Sequence, residues 1–144
     1  MDTFMNAGSF LLDKSKCCYL YDDLKVGESL EKMERARYQT IPVIERSTGH
    51  YLYSISEGDI LFKIKSCGLP YLSVKELPIS SIDVERLHVS VRSTADVDEL
   101  AELIVNQNFV PIVDENEGFL GIVTRKSIIY YLLGLVKDRK HKAK

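Results

Sequence analysis

Residues 38–44 read YQTIPVI, and residues 107–113 read QNFVPIV. Each stretch is followed by a glycine-containing turn and a second apolar run, YLYSIS at residues 51–56 and FLGIVT at residues 119–124. Each second run ends on a hydroxyl residue, after which the sequence becomes helix-like. An internal repeat of this size indicates two similar supersecondary units packed together, and the clefts between such units are natural ligand sites. The repeat therefore favours a binding module over an enzyme.

Apolar periodicity predicts the same order of elements in both halves of the chain. An extended opening, at residues 15–21 or 87–89, leads into an amphipathic helix. In the first half, Asp22 and Asp23 are predicted to cap the start of this helix, and its apolar stripe begins at Val26. Two short strands follow in each half. The hydroxyl of Ser56 or Thr124 then caps a last helix. Both halves are thus predicted to be strand, helix, strand, strand, helix.

These patterns predict an α/β (α+β) fold made of two pseudo-symmetric β-α-β-β-α units packed as one module. The first unit covers residues 15–65, and the second covers residues 84–136, with its last helix running through Leu133. Residues 66–83 are rich in turn-forming residues and are predicted to be the linker. Residues 137–144 form a basic tail, for which a frayed, solvated terminus is expected.

Composition limits the possible classes of function. The chain has 144 residues, of which 45% are hydrophobic and 28% are charged, as in an ordinary globular protein. A net charge of −2 favours neither nucleic acid nor an anionic membrane as a partner. No apolar run approaches the roughly 20 residues that a membrane span needs, and the first residues lack the features of a secretory signal. We therefore expect a cytoplasmic protein.

The reactive residue types form no recognisable catalytic or metal-binding pattern. The three cysteines, Cys17, Cys18 and Cys67, are odd in number and two of them are adjacent, which is a poor disulfide framework. The spacings typical of zinc sites do not occur, so no metal and no cofactor are predicted. Neither a Ser/His/Asp set nor a Cys/His set has supporting context. The sequence therefore predicts a protein that is not an enzyme.

The order of these motifs resembles that of the CBS domain, and two such units in tandem resemble a CBS pair, or Bateman module. The residues that carry the resemblance are IPV at 41–43, SEGDI at 56–60, VPI at 110–112 and GIVTRKSI at 121–128. The chain is also similar to small stand-alone bacterial CBS-pair proteins, some of which bind cyclic di-AMP. That subgroup carries Phe-Val and a Thr-Arg-Arg helix start in its second unit, where this chain has Phe109-Val110 and Thr124-Arg125-Lys126.

The resemblance implies two clefts, each combining the helix start of one unit with the extended opening and first core strand of the other. Cleft one would comprise Lys16, Cys17, Cys18, Gln39, Thr40, Ile41, Pro42, Thr124, Arg125, Lys126 and Ser127. A helix N-terminus that carries Arg125 and Lys126 suits phosphate oxygens. Ser127 stands where the family has an aspartate that accepts hydrogen bonds from a ribose diol. Its presence favours a cyclic dinucleotide over AMP or ATP.

Cleft two would comprise Ser56, Asp59, His88, Val89, Phe109, Val110 and Pro111, together with Glu57, Gly58, Leu87 and Asn108. Asp59 retains the ribose-binding carboxylate of the family, but Glu57 stands where cleft one has Arg125, and an acid repels phosphate. We therefore expect cleft two to bind nucleotides weakly. In the alternative interpretation, Asp59 is only a residue favoured at a helix start, and Arg125 and Lys126 are an ordinary solvated pair.

Together, the repeat and the resemblance predict a non-catalytic regulatory module. It would bind an adenine nucleotide, with cyclic di-AMP as one candidate, and signal to a protein partner. The alternative is a ligand-free dimeric scaffold for protein–protein interaction. A homodimer is expected in either case, because the apolar helix residues exceed what one small core buries. Those residues are Leu61, Ile64, Ile129, Leu132 and Leu133.

Overall fold

A computed structural model describes residues 5–84 and 88–142 of the chain, so that Leu87 and the last two residues of the basic tail lie outside the described residues. The strands are β1 (Leu12–Asp13), β2 (Leu20–Tyr21), β3 (Thr40–Ile44), β4 (Tyr51–Ser56), β5 (Val91–Arg92), β6 (Phe109–Val113) and β7 (Phe119–Thr124). The helices are α1 (Val26–Ala36), α2 (Glu57–Ser66), α3 (Tyr71–Val74), α4 (Val97–Ile104) and α5 (Arg125–Lys142). The predicted order of strand, helix, strand, strand, helix is confirmed in both repeats. Two predicted positions are wrong: β5 lies at residues 91–92 instead of 87–89, and α1 has Lys25 instead of Asp22 or Asp23 as its N-cap.

The first repeat forms a three-stranded sheet in the order β2-β3-β4. Strands β2 and β3 are parallel, with Leu20 opposite Val43, and β3 and β4 are antiparallel, with Ile41 opposite Ile55. The side chains of Leu20, Ile41 and Ile55 are fully buried in one hydrophobic cluster, to which Met33 of α1 also belongs. The apolar positions that predict the strands and the helix therefore pack against each other.

The second repeat forms a four-stranded sheet in the order β1-β7-β6-β5. Strands β5 and β6 are parallel, with Val91 opposite Ile112, which reproduces the pairing of Leu20 with Val43. Leu100 of α4 and Ile128 of α5 are fully buried against this sheet in a second hydrophobic cluster. Helices α4 and α5 thus cover the sheet of the second repeat with their apolar faces.

Backbone contacts divide the chain into two compact units. The first-repeat unit consists of Cys18–His88 and Asn116–Phe119, and the second-repeat unit consists of Met1–Cys17, Val89–Glu115 and Leu120–Lys144. Strand β1 pairs antiparallel with β7, placing Asp13 opposite Gly121, whose φ is 150°. A side chain at Gly121 would collide with the Leu12 carbonyl, so the close approach of β1 requires glycine there.

The segment predicted to be the linker contributes to the core of the first-repeat unit. It contains α3 and a short 3-10 turn at Ile79–Ser81, and Val74, Ile79 and Ile82 are buried in the same cluster as Leu20. In the sequence, these apolar positions stand between turn-forming residues, so the composition of the segment does not predict that they are buried. The exact domain boundaries stay a prediction.

Helix α5 is longer than its apolar pattern predicts, because it continues beyond Leu133 as far as Lys142. The expectation of a frayed tail from residue 137 is therefore wrong for the described part of the tail. Residues 135–142 include neither glycine nor proline, and lysine and arginine are favoured near a helix C-terminus. Within residues 5–84 and 88–142, no helix combines the length and the apolar character of a membrane-spanning segment.

Candidate functional site

The start of α5 leaves one backbone donor open. Thr124 caps the helix, because its Oγ1 accepts a hydrogen bond of 3.2 Å from the Ser127 amide. The Arg125 amide donates to the Asn108 carbonyl at 3.1 Å. Among the residues that the structure describes, the Lys126 amide between them has no partner. An open N–H at the positive end of an 18-residue helix attracts an anion.

Two cationic side chains flank this open amide. The Nε of Arg125 donates a hydrogen bond of 2.8 Å to the carbonyl of Ile104, the last residue of α4. This bond holds the guanidinium in place and, within the described part of the chain, leaves its two terminal nitrogens for a ligand. The Nζ of Lys126 lies 5.7 Å from the centroid of the Tyr130 ring. Both charges therefore lie at the helix start, where they reinforce its attraction for anions.

A cavity of about 460 Å³ opens at this helix start. It is lined by Asn108, Thr124, Arg125, Lys126, Ile129 and Tyr130, all of which belong to the second-repeat unit. Tyr130 is 63% exposed and Ile129 is 43% exposed, so an aromatic face and an aliphatic side chain adjoin the cations. The cavity thus combines phosphate-binding groups with apolar surface, as a nucleotide site requires.

The start of α2 in the first-repeat unit has the same backbone pattern but different side chains. The Glu57 amide donates to the Gln39 carbonyl at 2.9 Å, as the Arg125 amide does to Asn108. The Asp59 amide donates to Ser56 Oγ at 3.1 Å, and Asp59 Oδ2 accepts from the Ser56 amide at 2.9 Å. Asp59 therefore closes a capping box, as the helix-start interpretation requires.

The cavity beside α2 carries charges of both signs. It measures about 430 Å³ and is lined by Asp59, Phe62, Lys63, Lys65, Ser66 and Asp83. Its two carboxylates offset its two ammonium groups, and Glu57 replaces the arginine of the other helix start. The Ser127 hydroxyl, which stands at the position of Asp59, donates to the Thr124 carbonyl at 2.8 Å instead of closing a capping box. The two helix starts therefore differ in charge, and that of α5 is the better anion site.

The profile of the CBS domain matches residues 14–66 and again residues 74–134. The chain belongs to the CBS domain family. No curated protein sequence matches it.

Several solved structures share the fold at low sequence identity. A crystal structure of CbpB in complex with c-di-AMP has a TM-score of 0.83 at 19% identity, over 96% of this chain and 91% of that one. The Listeria monocytogenes CbpB protein, also in complex with c-di-AMP, has a TM-score of 0.77 at 17% identity, with 91% and 97% covered. CBSX2 in complex with AMP has a TM-score of 0.72 at 17% identity, with 90% and 97% covered.

The residues that the CBS resemblance assigns to cleft one are divided between the two units. Lys16, Cys17 and the Thr124–Ser127 stretch belong to the second-repeat unit, whereas Cys18 and residues 39–42 belong to the first-repeat unit. Ile41 is fully buried in the core, and Thr40 is half-buried. Burial raises the pKa of the Cys18 thiol despite the opposing charges of Lys32 and Arg35, which favours the protonated thiol of a packing residue.

The residues assigned to cleft two are divided in the same way. Ser56, Asp59 and His88 belong to the first-repeat unit, whereas Val89 and residues 109–111 belong to the second-repeat unit. Val110 is fully buried in the core, and Phe109 is 5% exposed. The assignment of these residues, and of those of cleft one, to ligand clefts stays a prediction.

The cavity at α5 includes Asn108, which the resemblance assigns to cleft two, and two residues for which the sequence predicts no site. Ile129 was expected only in a dimer face, and Tyr130 had no predicted role. Helical periodicity could have found both, because residues four positions apart share a helix face. Ile129 follows Arg125, and Tyr130 follows Lys126, at that spacing.

Proposed function

We propose that the chain is a non-catalytic regulatory CBS module that binds an adenine nucleotide and places a phosphate group at the start of α5. The observation that carries this proposal is the open Lys126 amide at a helix start that also carries the Arg125 guanidinium and the Lys126 ammonium group, beside a cavity of about 460 Å³. A phosphate oxygen can accept hydrogen bonds from the amide and from arginine together, and charge-assisted bonds of this kind are the strong ones.

Cyclic di-AMP is the ligand to test first. The CbpB structures that share this fold are complexes with c-di-AMP, and CBSX2 is a complex with AMP, so both classes of adenine nucleotide fit related folds. The start of α5 has no carboxylate at position 127, where the Ser127 hydroxyl instead donates to the Thr124 carbonyl. A cyclic dinucleotide, whose 3′ hydroxyls are esterified, depends less on a ribose-binding carboxylate at that position than AMP does.

The test is thermal unfolding of the full chain with AMP, ADP, ATP, cyclic di-AMP, cyclic di-GMP and S-adenosylmethionine. A ligand at 100 times its dissociation constant adds about 2.7 kcal/mol to the free energy of unfolding. For a chain of this size, we expect Tm to rise by about 5–10 °C. A rise with an adenine nucleotide that is absent with cyclic di-GMP supports the proposal. A Tm unchanged by every adenine nucleotide contradicts it.

The second candidate function is a ligand-free dimeric scaffold, and the exposed apolar residues of α5 favour it. Leu132 is 37% exposed, Leu133 is 48% exposed and Val136 is 50% exposed, on the same helix as Ile129 and Tyr130. Apolar side chains that recur along one helix are typical of an interaction surface. Signalling to a protein partner, a homodimer and a cytoplasmic location all stay proposals.

Light scattering coupled to size exclusion, with and without nucleotide, separates the two candidates. A homodimer whose unfolding and mass are indifferent to all six nucleotides supports the scaffold. A nucleotide-dependent Tm supports the regulatory module, whatever the oligomeric state.

A further inference from the structure

A proline in each repeat ends the parallel strand pairing at the same place. Leu20 lies opposite Val43 in the first repeat, and the Asp22 amide donates to the Ile44 carbonyl at 3.0 Å. Continued in this register, the parallel ladder would have the amide of residue 42 donate to the Cys18 carbonyl. Residue 42 is proline and has no N–H. The register of Val91 opposite Ile112 likewise leaves the Val89 carbonyl without a donor from Pro111.

In the second repeat, the side chain of Gln107 bonds to the backbone amide and carbonyl of Val89, which together form the Val89 edge. The Val89 amide donates to Gln107 Oε1 at 2.8 Å, and Gln107 Nε2 donates to the Val89 carbonyl at 3.2 Å. The same Nε2 donates to the Phe109 carbonyl at 3.1 Å. Gln107 is 6% exposed, so its amide is a buried and well-bonded part of the second-repeat unit. Both backbone groups of Val89 are therefore occupied.

In the first repeat, the corresponding backbone groups are the amide and the carbonyl of Cys18, which together form the Cys18 edge. Counting from the equivalent prolines, Tyr38 stands at the position of Gln107. The strand pairings of Leu20 with Val43 and of Val91 with Ile112 make Cys18 the equivalent of Val89. A tyrosine has no amide with which to engage a backbone N–H and C=O together. Among the described residues, the amide and the carbonyl of Cys18 have no hydrogen-bond partner. Cys18 is only partly buried, so this edge is not sealed inside the core.

We propose that Gln107 is a built-in occupant of the Val89 edge and confines recognition of the nucleotide base to the Cys18 edge. The inference rests on the proposed function. A glutamine amide offers an acceptor beside a donor, and adenine offers the same pair through a ring nitrogen and its amino group. A base can therefore use the open N–H and C=O of Cys18, whereas at Val89 it would have to displace a buried amide. Residue 107 thus determines how many base-reading edges the chain has.

Hydrogen exchange on the full wild-type chain tests the two edges without any substitution. In the free protein, we expect the Val89 amide to exchange about tenfold more slowly than the Cys18 amide after correction for intrinsic rates, the factor that one net hydrogen bond gives. Saturating cyclic di-AMP or AMP should slow exchange at Cys18 and leave Val89 unchanged. Equal protection of both amides in the free protein overturns the proposal.

Exchanging the residues between the repeats is the second test, with nucleotide affinity and stoichiometry measured by calorimetry. Tyr38→Gln places an amide beside the Cys18 edge and should weaken binding about tenfold or more. Tyr38→Phe is the matched control and should leave the affinity unchanged. Gln107→Met removes the occupant and should raise hydrogen exchange at the Val89 amide to about the rate at the Cys18 amide. Equal affinity of Tyr38→Gln and Tyr38→Phe overturns the proposal.

The outcomes separate this inference from the proposed function. Binding by the wild type with protection of Val89 instead of Cys18 contradicts the inference and leaves the function standing. Binding of a nucleotide by Gln107→Met alone supports the occupied edge and contradicts the function of the natural chain. Absence of binding by the wild type and by a folded Gln107→Met variant contradicts both.

Discussion

Replacement of Arg125 by alanine is the most direct perturbation of the phosphate site. The Nε of Arg125 is already bonded to the Ile104 carbonyl at 2.8 Å, so the terminal nitrogens are the groups that a phosphate would gain. One charge-assisted hydrogen bond contributes about 1.5–3 kcal/mol. The dissociation constant for an adenine nucleotide should therefore rise about 10- to 150-fold in Arg125→Ala. The half-buried position of Arg125 argues against a larger effect, because solvent screens the charge.

The assay is calorimetric titration with cyclic di-AMP, and Arg139→Ala is the matched control. Arg139 lies on the same helix, is exposed and does not line the cavity, so its removal changes the net charge equally. Arg125→Ala also removes the bond to Ile104, and thermal unfolding of the free variant measures that separate loss, about 1 kcal/mol. Arg125→Lys restores the charge without the planar fork and should bind with intermediate affinity.

Two results would refute this reasoning. An unchanged dissociation constant in Arg125→Ala would show that no phosphate contacts the guanidinium. An equal weakening in Arg125→Ala and Arg139→Ala would reduce the effect to net charge. A dependence on the ionic strength that is the same in both variants would lead to the same conclusion.

Two further predictions concern the fold. Gly121→Ala should lower the free energy of unfolding by about 2–4 kcal/mol in urea titrations, because φ is 150° and the new methyl group would collide with the Leu12 carbonyl. Gly134→Ala, in open space on α5, should instead add about 0.5–1 kcal/mol, and a similar change in both variants would contradict the role of β1. Burial raises the pKa of Tyr51 to about 12. The folded state therefore holds this proton more tightly than the unfolded state does, and about 3 kcal/mol of stability that is complete below pH 10 should be lost as the pH rises toward 12. Tyr51→Phe should flatten the dependence of stability on pH in that range, whereas Tyr71→Phe, at a position 44% exposed, should not.

The repeat in the sequence is sufficient to predict the order of elements, because each element carries its own local signal. Val43 and Ile112 come from apolar strands with a proline at the same place, and the structure pairs them with Leu20 and Val91 in the same register. Ser56 and Thr124 cap their helices as their hydroxyls predict. Short-range patterns of this kind depend on neighbouring residues only, and a single sequence contains them.

Long-range pairing is what the sequence could not provide. Strand β1 precedes the first repeat in the chain but pairs with β7 of the second, and neither residue of the Leu12–Asp13 strand predicts this partner. Gly121 was visible only as a glycine in a strand, a pattern that indicates a close backbone approach without naming the segment that approaches. Gln107 likewise reads as an ordinary polar residue before a strand. Its role depends on Val89, 18 positions away in sequence.

The two repeats differ most at positions that the fold makes equivalent. Arg125 replaces Glu57 at the second residue of the TRKS and SEGD helix starts, and Gln107 replaces Tyr38 before the proline strand. The first difference makes the second-repeat unit the one that attracts phosphate. The second difference gives that same unit a glutamine that occupies the Val89 edge, whereas the Cys18 edge stays open. The features that carry both proposals, the cationic start of α5 and the Cys18 edge without an amide beside it, therefore lie at the places where the two repeats have diverged.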